Sequence, residues 1–470
     1  MLERRMRDEL QAITGATRLC EDEQTLALYS CDVAPGVQSL ADGVVFPGST
    51  REVAEIVRVC ARHRTPVTPR GGGSNVCGGA APTQGGLVIV MMQMNRLLEI
   101  DRENLTATVQ PGLDAGEFQR RVEETGLFYP PCPSGMAVRT MGGNVALGAG
   151  GLHGLKYGTT KDYVLGLEAV LANGEIVRTG GKLVKDVAGY DLTRLLVGSE
   201  GTLAIITEIT LKLFPQVAHR RAMIAVYARL DAAARTVSGI FAERIIPCTL
   251  EFMDQSTVRA VERFAPIGLP IDAEAVLVIE QDGNAERVGA DLARIGEICR
   301  REGAADIRVA RTPEEGANVM DARRNALSAL ACARPTTILG NATVPRSRIG
   351  DMVVEIRRIA AKYDVQISTF GHAGDGNLHP TAMTDADNPE EMLRVEQAFA
   401  EIFTAAVNLG GAMPGDNGVG AVKAPHLQGQ MGEAGVVVMR GIKQAFDPDN
   451  TFNPGRVFAP QTRRRVVIQR

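Results

Sequence analysis

At 470 residues the chain exceeds what one compact core supports, since single domains seldom pass ~250 to 300 residues, and two or three domains are expected. Hydrophobic residues at 45% and charged residues at 23% are ordinary globular values, which excludes a disordered, collagen-like or coiled-coil chain. With 51 Lys+Arg against 55 Asp+Glu, a net charge of −4 and no basic stripe, nothing draws the chain to nucleic-acid phosphates.

The segment Met1 to Glu9 lacks the apolar core of a signal peptide, and no later apolar run reaches the ~18 residues of a membrane span. A cytoplasmic protein without a transmembrane segment is expected. Eight cysteines (Cys20, Cys31, Cys60, Cys77, Cys132, Cys248, Cys299, Cys332) lie far apart with no C-x-x-C pair. That spacing argues against a zinc ribbon or an iron–sulfur cluster held by this chain and reads as buried thiols in a reducing compartment. The basic run Arg463-Arg464-Arg465 reads as a solvated terminus.

In chain order, an N-terminal helical segment precedes Ser49-Thr50-Arg51-Glu52, which has capping-box form and is followed by Val53, Ile56, Val57 and Cys60 at helix spacing. A β-type run, Thr65 to Pro69, leads into a glycine loop from Arg70 to Gly79, and Gly86 to Met92 reads as a buried strand. Leu105 to Gln110 is predicted as a strand and Asp114 to Thr125 as a helix. Tyr163 to Val177 reads as a hairpin turning at Asn173-Gly174 in type I′ geometry, and Thr202 to Phe214 as a further strand. From about Arg220 glycine thins out, and helices at Asp231 to Arg244, Ala285 to Arg301 and Arg346 to Lys362 alternate with short strands such as Ala275 to Glu280, predicting a second α+β unit.

Glycine is the compositional outlier, 51 in 470 or about 11% against a usual ~7%. Runs such as Gly71 to Gly73 and Gly148 to Gly151 imply that backbone closely approaches something. In Pro69-Arg70-Gly71-Gly72-Gly73-Ser74-Asn75, successive glycines after a strand let backbone N–H groups converge on an anion, which is phosphate-binding chemistry. No G-x-x-x-x-G-K-[ST] occurs, and Val76 and His153 stand where G-x-G-x-x-G requires its last glycine, so a P-loop ATPase or a Rossmann dehydrogenase is disfavoured.

Five motifs occur in one order: Pro69 to Asn75, Met141-Gly142-Gly143-Asn144, Leu155-Lys156-Tyr157-Gly158, Lys185 to Leu192, and Gly198-Ser199-Glu200-Gly201-Thr202-Leu203. Over nearly its full length the chain resembles the FAD-linked oxidases of the glycolate oxidase flavin subunit, D-lactate dehydrogenase and D-2-hydroxyglutarate dehydrogenase group. The resemblance implies an α+β fold with a two-subdomain FAD-binding domain of the vanillyl-alcohol-oxidase type under a cap domain. The implied organisation is an N-terminal helical segment (1–37), the FAD domain (38–217), the cap (218–410) and a C-terminal segment returning to the FAD domain (411–470). It implies that the loop from Pro69 and Arg70 through Gly71, Gly72, Gly73, Ser74 and Asn75 holds the pyrophosphate. By the same resemblance Pro133, Ser134, Thr140, Gly142, Gly143 and Asn144 line the ribityl and ring region, Ile205 and Ile206 after Gly201 flank the cofactor, and Asn453 reaches it. With Ser74 in the loop, non-covalent FAD is expected, and Cys77, Cys132 and His153 are read as structural.

His372-Ala373-Gly374-Asp375-Gly376-Asn377-Leu378-His379 sets two of only six histidines seven residues apart around a glycine turn, which a fold-back could bring onto one divalent ion. In the family this string binds a metal such as zinc or manganese together with the glutamate of a later G-E-H-G motif, whose histidine is the base. Here that motif reads Gly415-Asp416-Asn417-Gly418. By resemblance Asp416 joins His372 and His379 as a ligand, one methylene shorter. Asn417 stands in the place of the base and cannot be one, because a carboxamide has no usable proton affinity near neutral pH. Arg323 aligns with the arginine that clamps the substrate carboxylate, a task suited to the guanidinium fork. The tryptophan common ahead of it is absent, and Asn341 stands where relatives often carry aspartate.

Three readings are open. The chain is a working 2-hydroxy acid dehydrogenase, with Arg323 on the carboxylate, metal on His372 and His379, and the proton leaving through water or Asp416. Or the flavin site is intact and serves a different substrate. Or the chain is an electron-transfer or scaffold subunit whose own dehydrogenase site has decayed. With no cluster ligands of its own, it is expected by resemblance to work beside an iron–sulfur subunit, a second flavin subunit or an electron-transfer flavoprotein.

Overall fold

The computed structural model describes residues 1–133, 138–413 and 415–459. Ser134 and the run Arg463 to Arg465 lie outside the described residues. The first sheet has the strand order Leu19–Cys20, Gly43–Val45, Leu87–Val90, Val67–Arg70, the last three parallel. The helix Thr50–Arg62 lays Val53, Ile56, Val57 and Cys60 on it, as their spacing predicts. Only half of the capping box forms. Ser49 accepts from the Glu52 N–H at 3.3 Å, but the Glu52 carboxylate turns away to the Gly48 N–H at 2.8 Å and to Arg18. The strand expected to reach Met92 stops at Val90 and continues as a 3-10 turn, Met91–Gln93.

The second sheet has five antiparallel strands in the order Leu97–Asp101, Thr106–Val109, Ile205–Lys212, Val164–Val170, Ile176–Gly180. The turn at Asn173-Gly174 is not type I′. That type needs positive φ at both central residues, whereas Asn173 is not among the residues with positive φ and Gly174 has φ 76°. The Gly174 N–H closes onto Leu171 O at 2.8 Å, giving a type I turn with glycine at the following left-handed position, braced by Arg58 on Gly174 O at 2.6 Å.

The second half is built on an eight-stranded sheet of order Asp306–Val309, His219–Tyr227, Ala275–Gly283, Thr249–Asp254, Ile367–His372, Asn377–Thr384, Thr336–Leu339, with Ala342–Thr343 pairing beside it. Side chains alternate between two cores. Met223, Ala225 and Tyr227 face the helices Leu230–Ala242, Ala285–Arg301 and Ile349–Tyr363, while Ile224 and Val226 face Gln255–Phe264 and Pro313–Arg324. Both faces being covered, its central strands are buried almost continuously. The chain then returns to the first sheet. Val67 N–H donates to Thr451 O at 2.8 Å, Asn453 N–H donates to Val67 O at 2.7 Å, and Phe452 is buried in the first core.

Candidate active site at the seam of the two halves

The glycine loop leaves the strand Val67–Arg70 and borders a cleft. Pro69, Arg70, Gly71, Gly72, Gly73, Ser74, Asn75, Thr140, Gly142, Gly143, Asn144, Gly201, Ile205 and Ile206 all line it. Glycine is required by space. A Cβ on Gly72 would lie 2.4 Å from the Val138 carbonyl oxygen, and one on Gly201, whose φ is 67°, would lie 2.5 Å from the Pro69 ring. Among the described residues none accepts a hydrogen bond from the N–H groups of Gly72, Gly73 or Ser74, leaving a cradle of donors suited to a diphosphate. The residues present therefore fit FAD.

Three expectations here need restating. Arg70 borders the cleft, but its side chain donates to Cys31 O at 2.6 Å and Ala80 O at 3.2 Å, so its guanidinium braces the loop. Pro133 and Asn453 are not among the residues bordering the cleft. Asn453 sits behind it, its amide donating to Gly79 O at 2.9 Å and Glu200 O at 2.8 Å, with its buried Oδ1 unpartnered among the described residues.

The histidine motif folds back as a hairpin. His372 ends the strand Ile367–His372, His379 lies in Asn377–Thr384 opposite Phe370, and the two rings stand 5.2 Å apart. Asp416 arrives from the chain's return. Its Oδ2 is 3.5 Å from His372 Nε2 and 3.8 Å from His379 Nε2, and ligand atoms of all three residues lie within 4.8 Å of one another. Two imidazoles and a carboxylate suit zinc or manganese, so the residues fit a divalent ion. The run Gly148 to Gly151 now has its reason. A Cβ on Gly150 would meet the Asp416 side chain at 2.8 Å, so glycine lets the two halves close here.

Charge in this pocket is balanced by Glu251, which had no signal in the sequence. Its Oε1 accepts from His372 Nδ1 at 2.7 Å and its Oε2 lies 2.5 Å from Arg323 Nη2. Glu251 and Arg323 are both about 1% exposed. The Arg323 contact is ionic but poorly aligned, leaving its Nε and Nη2 without hydrogen-bond partners among the described residues. Those donors are free to take a carboxylate, and the guanidinium is seated 4.7 Å over the Phe370 ring. Burial works against charge on His372, but Glu251 and Asp416 outweigh it and push its pKa up to about 10. Burial draws His379 down to about 4. Asp416, although buried, is held well below the usual carboxylate range by the imidazoles and Arg139.

Asn417 is turned into the cluster, donating to Asp416 Oδ1 at 2.8 Å. Arg139, which borders the flavin cleft and interacts with Asp416, and Glu200, whose carboxylate accepts from the N–H groups of Val419 and Gly420 at 2.7 Å each, join the cleft to the histidine cluster. Sequence reading gave neither a role. Arg139 stands outside the quoted motifs, and Glu200, inside Gly198 to Leu203, was marked only by being the one carboxylate of that motif.

Residues 41–180 match the model of an FAD binding domain, and residues 216–457 match that of the C-terminal domain of FAD linked oxidases. The chain is 54% identical over 470 residues to glycolate oxidase subunit GlcD of Bacillus subtilis, covering 100% of both. It is 35% identical to a D-lactate dehydrogenase of Anaerostipes hadrus, over 87% of this chain and 88% of that one. A solved structure of p-cresol methylhydroxylase superposes with a TM-score of 0.82 at 18% identity, covering 97% of this chain and 96% of that one, which shows the shared α+β fold.

Proposed function

The chain belongs to the FAD-linked oxidases and is an FAD-dependent oxidoreductase, and on that premise we propose that it oxidises a small 2-hydroxy acid of the glycolate or D-lactate type to the 2-oxo acid. The observation that carries this is Arg323, a buried guanidinium ion-paired to Glu251, which also accepts from His372 of the His372, His379 and Asp416 cluster, with Arg139 linking that cluster to the flavin cleft. Its Nε and Nη2 hold the substrate carboxylate, and Glu251 keeps it in place. FAD, bound without a covalent link by the loop from Pro69 to Asn75, supplies a two-electron acceptor for the hydride on C2. A zinc or manganese ion would be held by His372, His379 and Asp416 and would supply a Lewis acid for the hydroxyl. Asn417 orients Asp416 and takes no proton, so the hydroxyl proton leaves to water.

Electrons pass on to a partner, an iron–sulfur subunit, a second flavin subunit or an electron-transfer flavoprotein. The relative at 54% identity is itself named a subunit, which supports this. The protein works in the cytoplasm; the thiols of Cys60, Cys77, Cys248 and Cys299 are buried, whereas Cys20, Cys31 and Cys132 are half-buried and Cys332 is exposed, and no described helix is long and apolar enough to cross a membrane.

One observation favours a second reading. Asp416, Asn417 and Asn341 hydrogen-bond one another, as a site no longer used for chemistry would. A flavin subunit without its own dehydrogenase activity is that alternative. Anaerobic addition of glycolate, D-lactate or D-2-hydroxyglutarate decides. Bleaching of the flavin by any of them supports the dehydrogenase, and a flavin that only dithionite reduces supports the alternative.

A further inference from the structure

Behind the histidine pair lie Asn341 and Lys423, at 0% and 1% exposure. Lys423 Nζ stands 2.7 Å from Asn341 Oδ1 and 3.2 Å from Gly418 O. An ammonium has three donors and no acceptor, so the atom facing it is the amide oxygen; the reverse orientation would set NH2 against NH3⁺. The amide nitrogen is thereby aimed the other way. There it is 3.0 Å from Asp416 Oδ1 and 3.1 Å from His379 Nδ1.

Both of those atoms must accept. An imidazole that accepts through Nδ1 carries its proton on Nε2, and an imidazolium would set N–H against N–H. Nε2 is the nitrogen that His379 turns toward Asp416 Oδ2. A ligating nitrogen needs its lone pair there, with Nδ1–H given to an acceptor. We propose that Asn341, locked by Lys423, is a positioning residue that holds His379 in the tautomer with its proton on Nε2, the nitrogen facing Asp416, and thereby keeps the affinity of this site for a divalent cation low. This rests on reading His372, His379 and Asp416 as the metal site, and is independent of which acid is oxidised.

Ligation by His379 requires the Asn341 amide to turn over, against Lys423 and with loss of its donor to Asp416. Aspartate at 341 removes the conflict. Its carboxylate accepts from Lys423 and from His379 Nδ1–H together, freeing the Nε2 lone pair, and adds an anion that a cation would neutralise.

The test uses FAD-loaded, full-length protein stripped of metal by chelator and titrated with Zn²⁺ and Mn²⁺ against a chromophoric competitor. Asn341→Asp is expected to bind at least about tenfold more tightly, because such partners of metal-bound histidine are worth 10- to 100-fold. A second measurement needs no variant. With six histidines in the chain, ¹⁵N-histidine labelling of the metal-free protein, assigned with His379→Gln, is expected to show His379 as the Nε2–H tautomer. An Nδ1–H tautomer overturns the proposal, and so does an Asn341→Asp protein that keeps its FAD and binds metal no more tightly. If Asn341→Asp loses its flavin, the tautomer spectrum decides. A flavin that no hydroxy acid bleaches, with the Nε2–H tautomer present, would defeat the catalytic reading and leave this one standing.

Discussion

Replacing Glu251 by glutamine keeps its volume and removes the one charge that His372 and Arg323 share. A carboxylate gives His372 an acceptor, Oε1 at 2.7 Å, and gives Arg323 a counter-charge, Oε2 at 2.5 Å in an ion pair without an aligned hydrogen bond. A carboxamide has one acceptor, so its NH2 group must face one of two donors. His372 can relieve the conflict by giving up its proton, but Arg323 cannot, and at about 1% exposure it has no solvent to turn to. Breaking a buried pair from one side costs about 3 to 5 kcal/mol, and the release available through His372 puts Glu251→Gln near 3 kcal/mol. The chain has no tryptophan, so unfolding is followed by far-UV circular dichroism in urea on the FAD-loaded protein, taking the transition of the second half. Arg323→Met and the double variant complete a cycle. The double variant should be less destabilised than the sum of the singles by about 2 kcal/mol, because the uncompensated charge is gone. Additivity within about 0.5 kcal/mol would refute the claim that Glu251 and Arg323 act as a pair.

Gly72→Ala should lower flavin occupancy, since its Cβ would sit 2.4 Å from Val138 O and overpacking of ~1 to 3 kcal/mol means about five- to 150-fold in FAD affinity. The ratio of flavin to protein absorbance reads this out, Gly289→Ala, with nothing within 4 Å, should stay yellow, and a fully loaded Gly72→Ala protein would contradict the cradle. In metal-free protein the two histidines give opposite pH limbs. His372, raised to about 10 from an unfolded value near ~6.5, loses its stabilising contribution as pH climbs between these values, whereas His379, lowered to about 4, loses its own as pH falls from ~6.5 toward 4. Melting temperature against pH should show His372→Gln flattening the alkaline limb and His379→Gln the acid one, and an unchanged profile in either would count against the assignment. Asn417→His should raise turnover on the best acid by about 100-fold or more if lack of a base limits the rate. No gain, with flavin and metal retained, would point to the flavin-subunit alternative.

Local pattern carried much of the site. The run Pro69 to Asn75 could be read as an anion cradle because glycine removes the Cβ wherever it stands, and nearly every residue assigned to the cleft borders it. The inability of Asn417 to accept a proton is a property of the carboxamide and needed no coordinates. Turn type at Asn173 was misjudged because Asn-Gly fits either hairpin geometry, and strand register with the packing of Arg58 on Gly174 selects between them. The second half of the capping box failed for a similar reason, since Arg18, thirty-four residues away, draws the Glu52 carboxylate off.

What the amino-acid order determined, then, was the family, the α+β fold and the residue types the chemistry calls on. Tertiary structure alone decided how those residues are charged and aimed. Glu251 meets His372 across 121 positions and Lys423 meets Asn341 across 82. Which imidazole keeps a proton, and which face of an amide meets a histidine, depends on neighbours that only folding brings together. Desolvation at this seam makes those contacts strong enough to set protonation state.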